Sequence, residues 1–240
     1  MSEKLLTGQV AVVTGGTHGL GYAVAKHLAG LGANIALIAR SPAALAETAA
    51  EIKATGVEAV GISCDIADRE QVTTAAKKIS ETFGRVDILV NNAGIPAPRT
   101  FEATSFDDWD LVIGVNLNGA FYMTRALWDM LIQGENSYVV TIAGTAGKRG
   151  GGSPAYGGSK FGLAGLHHSI AAAGKAHGLR ATILYPGGMD TGWRGSDIGK
   201  PRDESMDPDQ VAAYIGHVVT SPPEFVVNEA VMNPINYPFM

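Results

Sequence analysis

The sequence predicts one α/β domain over residues 1–240, in which helices cover both faces of a doubly wound parallel sheet of about seven strands. Short apolar runs rich in β-branched residues recur along the chain, and they begin at Gln9, Asn34, Val57, Val86, Tyr138, Leu179 and Glu224. Each run is too short for a helix and alternates little, as expected of strands that are buried on both faces. Alanine-rich stretches of helical period separate the runs, and this alternation of strand and helix requires parallel crossovers.

The composition excludes several classes of function. The 240 residues are 46% hydrophobic, which is enough for a sizeable core, and 17% charged, with a formal net charge of -5. Because the chain has no excess of positive charge, neither nucleic acid nor an anionic membrane surface is an expected partner. The apolar run near the amino terminus stops at paired glycines, well short of a membrane span. The single cysteine, Cys64, cannot form an intramolecular disulfide and fits a reducing compartment, so the expected location is cytoplasmic.

A glycine-rich segment, TGGTHGLG at residues 14–21, follows the first run directly and opens a helical pattern. Gly15 permits a tight turn, Gly19 lets the backbone approach a pyrophosphate, and Gly21 permits close helix packing. The N-terminus of the helix adds free N–H groups and positive potential. A tight strand-to-helix turn without a ligand would use the same residues. The position after the first strand favours a bound dinucleotide.

The end of the second run carries the residues that distinguish the two nicotinamide dinucleotides. Proteins that use NAD(H) normally place an acidic residue here for the ribose hydroxyls, whereas an arginine accommodates the 2′-phosphate of NADP(H). Arg40 and Ser41 stand at this point, and no carboxylate is present. NADP(H) is therefore the predicted cofactor, with NAD(H) less favoured. The alternative is a surface arginine that only caps the strand.

Tyr156 and Lys160 are four residues apart in a predicted helix, so their side chains share one face. A nearby cation favours the phenolate and lowers the pKa of a phenol, which makes tyrosine a usable general acid or base near neutral pH. Such a pair by itself is usually structural, and only its combination with the features above indicates catalysis. His167 and His168 on the same helix point in different directions, so no metal site is expected.

Together these residues resemble the short-chain dehydrogenase/reductase family, over almost the whole chain from Gln9 onward. Residues 14–21 resemble its Thr-Gly-x-x-x-Gly-x-Gly turn, NNAG at 91–94 resembles its motif after the fourth strand, and residues 186–191 resemble its Pro-Gly-x-x-x-Thr loop. Tyr156 and Lys160 fit its Tyr-x-x-x-Lys motif. The resemblance implies a Rossmann-like fold and hydride transfer between NADP(H) and a carbonyl or alcohol substrate, with Tyr156 as the general acid/base.

The resemblance also implies roles for individual residues. Asp65 would contact the adenine region, Thr191 the nicotinamide carboxamide, and Lys160 the nicotinamide ribose. His18 stands where members that prefer NADP(H) often carry a basic residue. Asn116 matches the helix asparagine that supports a water in the proton relay, although an asparagine in a helix is otherwise a packing feature. The expected catalytic residues are Asn116, Tyr156 and Lys160, and the expected cofactor-binding residues are Gly15, Thr17, His18, Gly19, Leu20, Gly21, Arg40, Ser41, Asp65, Ile66, Asn92, Ala93, Gly94, Tyr156, Lys160, Pro186, Gly187, Met189 and Thr191.

One departure from the family pattern concerns the catalytic serine at the end of the fifth strand. Gly144 falls on its position, and a shift of the alignment by one residue gives Ala143, so neither alignment supplies a hydroxyl. Losing one such donor costs on the order of a hundredfold in turnover. Three explanations remain open. Thr145 or Ser153 replaces the serine; the substrate supplies its own hydrogen-bonding groups or undergoes another reaction, such as dehydration or epimerisation; or the chain, natural or engineered, mainly binds cofactor with weak or no catalysis.

Residues 186–208 form a segment rich in Gly, Asp, Arg and Pro that is too long for an ordinary connection, and we predict a substrate-binding loop followed by a helix from Asp209. Met189 and Trp193 suggest an apolar wall, and Arg194 or Arg202 is a candidate partner for an anionic group. By the resemblance, a homotetramer or homodimer forms through the helix after Tyr156 and the long helix around residues 106–133. The apolar carboxyl-terminal tail is a further candidate contact.

Overall fold

A computed structural model of the chain describes residues 4–149, 153–193 and 204–236. It contains a seven-stranded sheet with the order β3-β2-β1-β4-β5-β6-β7. All strand pairs in this sheet are parallel. The predicted fold class, a single-domain doubly wound α/β fold, is confirmed. The strands are β1 (Val10–Thr14), β2 (Asn34–Ala39), β3 (Ala59–Ser63), β4 (Ile88–Asn91), β5 (Tyr138–Ile142), β6 (Arg180–Pro186) and β7 (Glu229–Met232).

Five of the seven helices in the described part of the chain begin at a residue whose side chain caps them. Ser41, Asp68, Ser105, Ser153 and Asp207 each accept a backbone N–H at the start of a helix, which satisfies donors that have no partner within the helix. The helices are α1 (Gly19–Gly30), α2 (Pro42–Lys53), α3 (Arg69–Phe83), α4 (Phe106–Ile113), α5 (Gly119–Leu131), α6 (Pro154–Lys175) and α7 (Pro208–Val219).

The sheet is buried on both faces, as the lack of alternation in its strands predicts. Ala11 and Val13 of β1 pack into one apolar cluster with residues of α1, α2 and α7. Val12 faces the opposite side and packs with residues of α3, α5 and α6. The strands β1 to β6 therefore contribute apolar side chains to layers on both faces, whereas one face of the edge strand β7 is exposed. The polar ends of the strands are left to form a site at the sheet edge.

The predicted starts of the last strand and of the last helix differ from the structure. The last strand starts at Glu229 rather than Glu224, because the guanidinium of Arg180 binds the carbonyls of Ser221, Pro222 and Phe225 and holds that segment outside the sheet. Helix α7 starts one residue before the predicted Asp209, since Pro208 suits the first helical position.

The helix predicted over residues 106–133 is not continuous. A π-helical turn at Gly114–Asn118 separates α4 from α5, and such turns frequently lie at functional sites. Asn116 lies in this turn and is 1% exposed. The interruption therefore falls at the one residue of this segment that carries an expected catalytic role.

Candidate active site

A cavity of about 660 Å³ runs along the carboxyl edge of the sheet. Its size is in the usual range for a cofactor or ligand site. Because β1 lies between β2 and β4, the chain direction across the sheet reverses at this point, where nucleotides bind in folds of this class. The residue directly after each of the first six strands lines the cavity: Gly15, Arg40, Cys64, Asn92, Ala143 and Gly187.

The glycine-rich turn forms one wall of the cavity. Gly15 and Gly19 have φ angles of 65° and 51°, which glycine adopts without strain. A Cβ on Gly21 would collide with the carbonyl oxygen of Gly15. Gly21 itself does not line the cavity. Its role is therefore to let α1 begin close to the turn, rather than to touch a ligand.

The adenosine end of the cavity carries the predicted discriminating residues. Arg40 and Ser41 both line it, with Asp65 and Ile66. Arg40 is exposed, and no ion pair joins it to a carboxylate within the described ranges. Its guanidinium is thus available to an anionic group in the cavity. Cys64 also lines this end, and burial raises the pKa of its thiol to about 11, which makes the thiol unreactive near neutral pH.

Tyr156 and Lys160 lie at the other end of the cavity, on the first turns of α6. The Nζ atom of Lys160 donates to the carbonyl oxygen of Ile142 at 2.9 Å and lies 5.6 Å from the centre of the Tyr156 ring. Lys160 is 4% exposed, and burial lowers its pKa to about 8. The structure thus brings the two residues together beside the cavity, as the spacing of four predicts.

Asn116 does not line the cavity; its side chain is bound within the protein. Its Oδ1 accepts the N–H of Ile95 at 2.8 Å, and its Nδ2 donates to the carbonyl of Ile95 at 3.1 Å and to Ser159 Oγ at 3.2 Å. Ser159 Oγ donates in turn to the carbonyl of Tyr156 at 2.8 Å. Asn116 therefore connects the segment after β4 with the helix that carries Tyr156.

The structure decides which residue stands at the position of the missing serine. Ala143 also lines the cavity, but its side chain is fully buried in an apolar cluster with Leu163 and Ile183. Gly144 faces the cavity, and a Cβ on Gly144 would lie 3.6 Å from Tyr156 Oη and 3.6 Å from the carbonyl oxygen of Pro186. The φ angle of Gly144 is 75°. A serine at this position would therefore be strained by the present backbone.

Thr145 and Ser153, the two candidates to replace the hydroxyl of the missing serine, lie in different places. Thr145 lines the cavity next to Gly144 and is half-buried. Ser153 does not line the cavity, and its Oγ accepts the N–H of Tyr156 at 3.3 Å as the cap of α6. Of the two, only Thr145 lies where a substrate can reach it.

The described residues of the predicted substrate loop, 186–193 and 204–208, contribute to the lining of the cavity. Thr191 packs on the glycine-rich turn, where a Cβ on Gly19 would lie 2.9 Å from Thr191 Cβ. Trp193 packs on Tyr156 with a distance of 5.4 Å between ring centres, and its Nε1 donates to the carbonyl of Gly94 at 3.2 Å. Met189 lines the cavity between them. Arg194 and Arg202 lie outside the described residues.

Apart from Gly21 and Asn116, every expected site residue lines the cavity. Sequence reasoning missed Glu204 and Ser205, which also line it. Met206, directly after them, donates its N–H to the carbonyl of Gly188 at 3.0 Å and so brings them to the loop. No motif marks this pair, since the contact depends on the path of the loop.

The two histidines of α6 take no part in the cavity. His167 Nδ1 lies 2.9 Å from Thr141 Oγ1, and burial lowers the pKa of its ring to about 4. Within residues 4–149, 153–193 and 204–236, no group of three or more His, Cys, Asp or Glu side chains is placed to hold a metal ion. No helix in the described part of the chain is both long and apolar enough to span a membrane.

The fold and the cavity agree with comparisons to known proteins. The model of the short chain dehydrogenase family matches residues 9–200, and the chain belongs to this family. It is an oxidoreductase, in agreement with the reductases and dehydrogenases among its relatives.

Two relatives and one solved structure illustrate the similarity. The chain is 31% identical over 225 residues to the 3-oxoacyl-(acyl-carrier-protein) reductase of Synechocystis sp., with 90% of this chain and 91% of the relative covered. It is 33% identical over 219 residues to the D-threitol dehydrogenase of Mycolicibacterium smegmatis, with 87% and 84% covered. An alcohol dehydrogenase from the archaeon Thermococcus sibiricus, solved with 5-hydroxy-NADP, superposes with a TM-score of 0.91 at 29% identity, over 97% of this chain and 99% of that chain.

Proposed function

We propose that this protein is an NADP(H)-dependent oxidoreductase that transfers a hydride between the nicotinamide and a carbonyl or alcohol substrate, with Tyr156 as the general acid/base. The observation that carries the proposal is the placement of Tyr156 and the buried Lys160 at one end of a cavity whose other end has the features of a dinucleotide site. The names of the relatives, an oxoacyl reductase and a threitol dehydrogenase, support a carbonyl or alcohol as the reacting group.

The residues of the cavity fit NADP(H). The turn around Gly15 and Gly19 leaves space that a Cβ would fill, and the start of α1 supplies backbone N–H groups for a pyrophosphate. Arg40 and Ser41 would hold the 2′-phosphate. Asp65 and residues 92–94 would line the adenosine, while Lys160 and Thr191 would hold the nicotinamide ribose and carboxamide. When bound, NADPH supplies the hydride that reduces the carbonyl carbon.

The proton in this reaction comes from the protein. Tyr156 Oη donates its proton to the carbonyl oxygen, whose negative charge grows as the carbon is reduced. The ammonium group of Lys160 lies 5.6 Å from the ring centre of Tyr156 and favours the phenolate that remains. Asn116 contributes to the relay as a positioning residue, because its bonds to Ile95 and Ser159 hold the walls of the site around Lys160.

The comparisons do not favour the alternative of a protein that only binds cofactor. The glycine at position 144 removes one hydrogen-bond donor, but Tyr156 and Lys160 retain the arrangement that proton transfer requires. A single lost donor of this kind lowers turnover by about a hundredfold to a thousandfold without abolishing it.

The test is the substitution Tyr156→Phe, with Tyr22→Phe on the surface of α1 as the matched control. We expect Tyr156→Phe to lose turnover of all carbonyl substrates and to keep NADPH affinity, because only the transferable proton is removed. Tyr22→Phe loses a hydrogen bond to Glu51 and keeps full activity. Turnover by folded Tyr156→Phe at the rate of the unchanged protein would exclude Tyr156 as the acid.

The proposal also states that the protein forms a homotetramer or homodimer and that it is located in the cytoplasm. Large apolar side chains are exposed on α4, α5 and α6, where Phe106, Phe121 and Phe161 are 92%, 49% and 47% exposed. A second copy of the chain would cover them. Light scattering of the purified protein measures the assembly directly, and a monomer at micromolar concentration would refute it. The location rests on the single, buried Cys64.

A further inference from the structure

The space beside the Tyr156 hydroxyl has a chemistry that points to the substrate. Its centre is the point that a Cβ on Gly144 would occupy, 3.6 Å from Tyr156 Oη and 3.6 Å from the carbonyl oxygen of Pro186. Apart from residues 143–145 themselves, these are the described atoms within 4 Å of that point. An oxygen atom displaced from it by about 1 Å would reach hydrogen-bonding distance of one of them. The space thus suits a small polar group better than a methyl group.

The backbone keeps this space open. Gly144 has a φ of 75°, in the left-handed region that a residue with a side chain rarely adopts. The N–H groups of Ala143 and Gly144 both donate to the carbonyl of Leu184, at 2.9 and 3.3 Å. Residue 144 is therefore held in place at the end of β5, and its own N–H is already used inside the protein. The backbone of residue 144 therefore offers no free N–H to a group placed in this space.

We propose that the substrate places a hydroxyl in this space, on the carbon next to the reacting carbonyl, where the carbonyl oxygen of Pro186 is an acceptor. The substrate class is then an α-hydroxy ketone or α-hydroxy aldehyde, and in the reverse direction a vicinal diol. The inference rests on the proposed function, because it takes Tyr156 as the acid that protonates the carbonyl.

The two oxygens of such a substrate have matching partners. The carbonyl oxygen accepts from Tyr156 Oη, and the neighbouring hydroxyl occupies the space over Gly144, where the carbonyl of Pro186 accepts its hydrogen. In the reaction the carbonyl carbon gains a hydride and its oxygen gains the proton of Tyr156, while NADPH is oxidised to NADP⁺. The neighbouring hydroxyl is not consumed.

The experiment compares 3-hydroxy-2-butanone with 3-methyl-2-butanone, in which a methyl group replaces the hydroxyl at similar size. We expect kcat/KM with NADPH to be higher for the hydroxy ketone by about tenfold to a hundredfold, the value of one or two hydrogen bonds.

Two substitutions at Gly144 test the position of the hydroxyl. Gly144→Ala fills the space and is expected to reduce the preference for the hydroxy ketone to about twofold or less. Gly144→Ser supplies a protein hydroxyl and is expected to raise kcat/KM for 3-methyl-2-butanone relative to that for the hydroxy ketone. Gly178→Ala is the matched control, because Gly178 has a φ of 71° with nothing within 4 Å of its Cβ position. It introduces the same backbone strain and should keep the preference.

The outcomes separate this inference from the proposed function. Equal kcat/KM for the two ketones in the unchanged protein overturns the inference and leaves the proposed function intact. An unchanged preference in Gly144→Ala also overturns it. Absence of NADPH oxidation with both ketones, and with a wider panel of ketones and aldehydes, overturns the proposed function and this inference with it.

Discussion

The indole N–H of Trp193 donates to the carbonyl oxygen of Gly94 at 3.2 Å, between two residues that are 99 positions apart in the chain. The bond joins the substrate loop to the segment after β4 and holds the indole ring against Tyr156, at 5.4 Å between ring centres. The wall of the cavity next to Tyr156 is therefore an aromatic side chain that this hydrogen bond helps to hold in place.

Trp193→Phe tests this bond. The variant keeps an aromatic wall and loses the N–H donor, so we expect KM for the carbonyl substrate to rise about twofold to tenfold, the value of one hydrogen bond. The NADPH affinity of the folded variant should change less. Steady-state kinetics measures both, and an unchanged KM would show that the bond does not shape the substrate site.

Arg40→Ala tests the choice of cofactor. Arg40 is exposed at the adenosine end of the cavity, and its removal is expected to weaken NADPH binding by about tenfold to a hundredfold because a charge-assisted bond to the phosphate is lost. NADH binding should change by less than about threefold. Arg125→Ala, an exposed arginine on α5, is the control. Equal weakening of both nucleotides would contradict a role in phosphate recognition.

The pKa of Lys160 predicts a pH dependence of activity. Burial lowers this pKa from 10.5 to about 8, so Lys160 is charged at pH 7 and loses its charge as the pH rises past about 8. We expect kcat to fall through that range on the alkaline side, since the neutral amine no longer favours the phenolate. A pH–rate profile that stays flat from pH 7 to 10 would contradict this.

The same shift predicts how stability changes with pH. The folded pKa of Lys160 lies below the unfolded value, so the unfolded chain binds more protons between about pH 8 and 10.5. Burial of the charged Lys160 therefore lowers the free energy of unfolding, and this loss has its full size below about pH 8. The loss disappears as the pH rises to 10.5, because the buried amine becomes neutral. Lys160→Met should gain stability relative to the unchanged protein at pH 7, and the difference should shrink toward pH 10. Chemical denaturation at several pH values measures it, and a constant difference would be the contrary result.

Thr145→Val distinguishes a protein donor from a substrate donor. If the substrate carries the hydroxyl, the variant should keep kcat/KM for 3-hydroxy-2-butanone within about threefold, since the valine preserves size and shape at a half-buried position. A loss of about a hundredfold would instead identify Thr145 as the replacement for the serine. Ser153→Ala provides a reference for the effect of weakening the cap of α6 alone.

Asn116→Ala is expected to lower the free energy of unfolding by about 2 kcal/mol, because it leaves the N–H and carbonyl of Ile95 without their side-chain partner. As a positioning residue, Asn116 should also affect kcat more than KM. The positioning effect on kcat has to be separated from a loss of stability. The kinetics of Asn116→Gln and Asn116→Asp and the pH profile of Asn116→Ala make this separation. A variant with lower stability but unchanged kcat and pH profile would make the role purely structural.

The fold could be predicted well from the sequence because its signals are local. Apolar runs, helical period and capping residues each span a few positions, and six of the seven strands overlap their predicted runs closely. The last strand was shifted, since Arg180 draws residues 221–225 away from the sheet by contacts across about 40 positions. The π-helical turn at Gly114–Asn118 also escaped prediction, because one inserted residue does not disturb a helical pattern.

The sequence by itself determined the class of the fold, the family, and the residues that line both ends of the cavity, since these are short motifs placed at the ends of strands. Only the tertiary structure decided that Gly144, and not Ala143, faces Tyr156, that Asn116 is bound to Ile95, and that Trp193 closes on Gly94. These relationships depend on where separate segments meet after the sheet has formed. The path of a loop and the direction of a carbonyl are set by packing across the whole domain, and no period or motif along the chain encodes them.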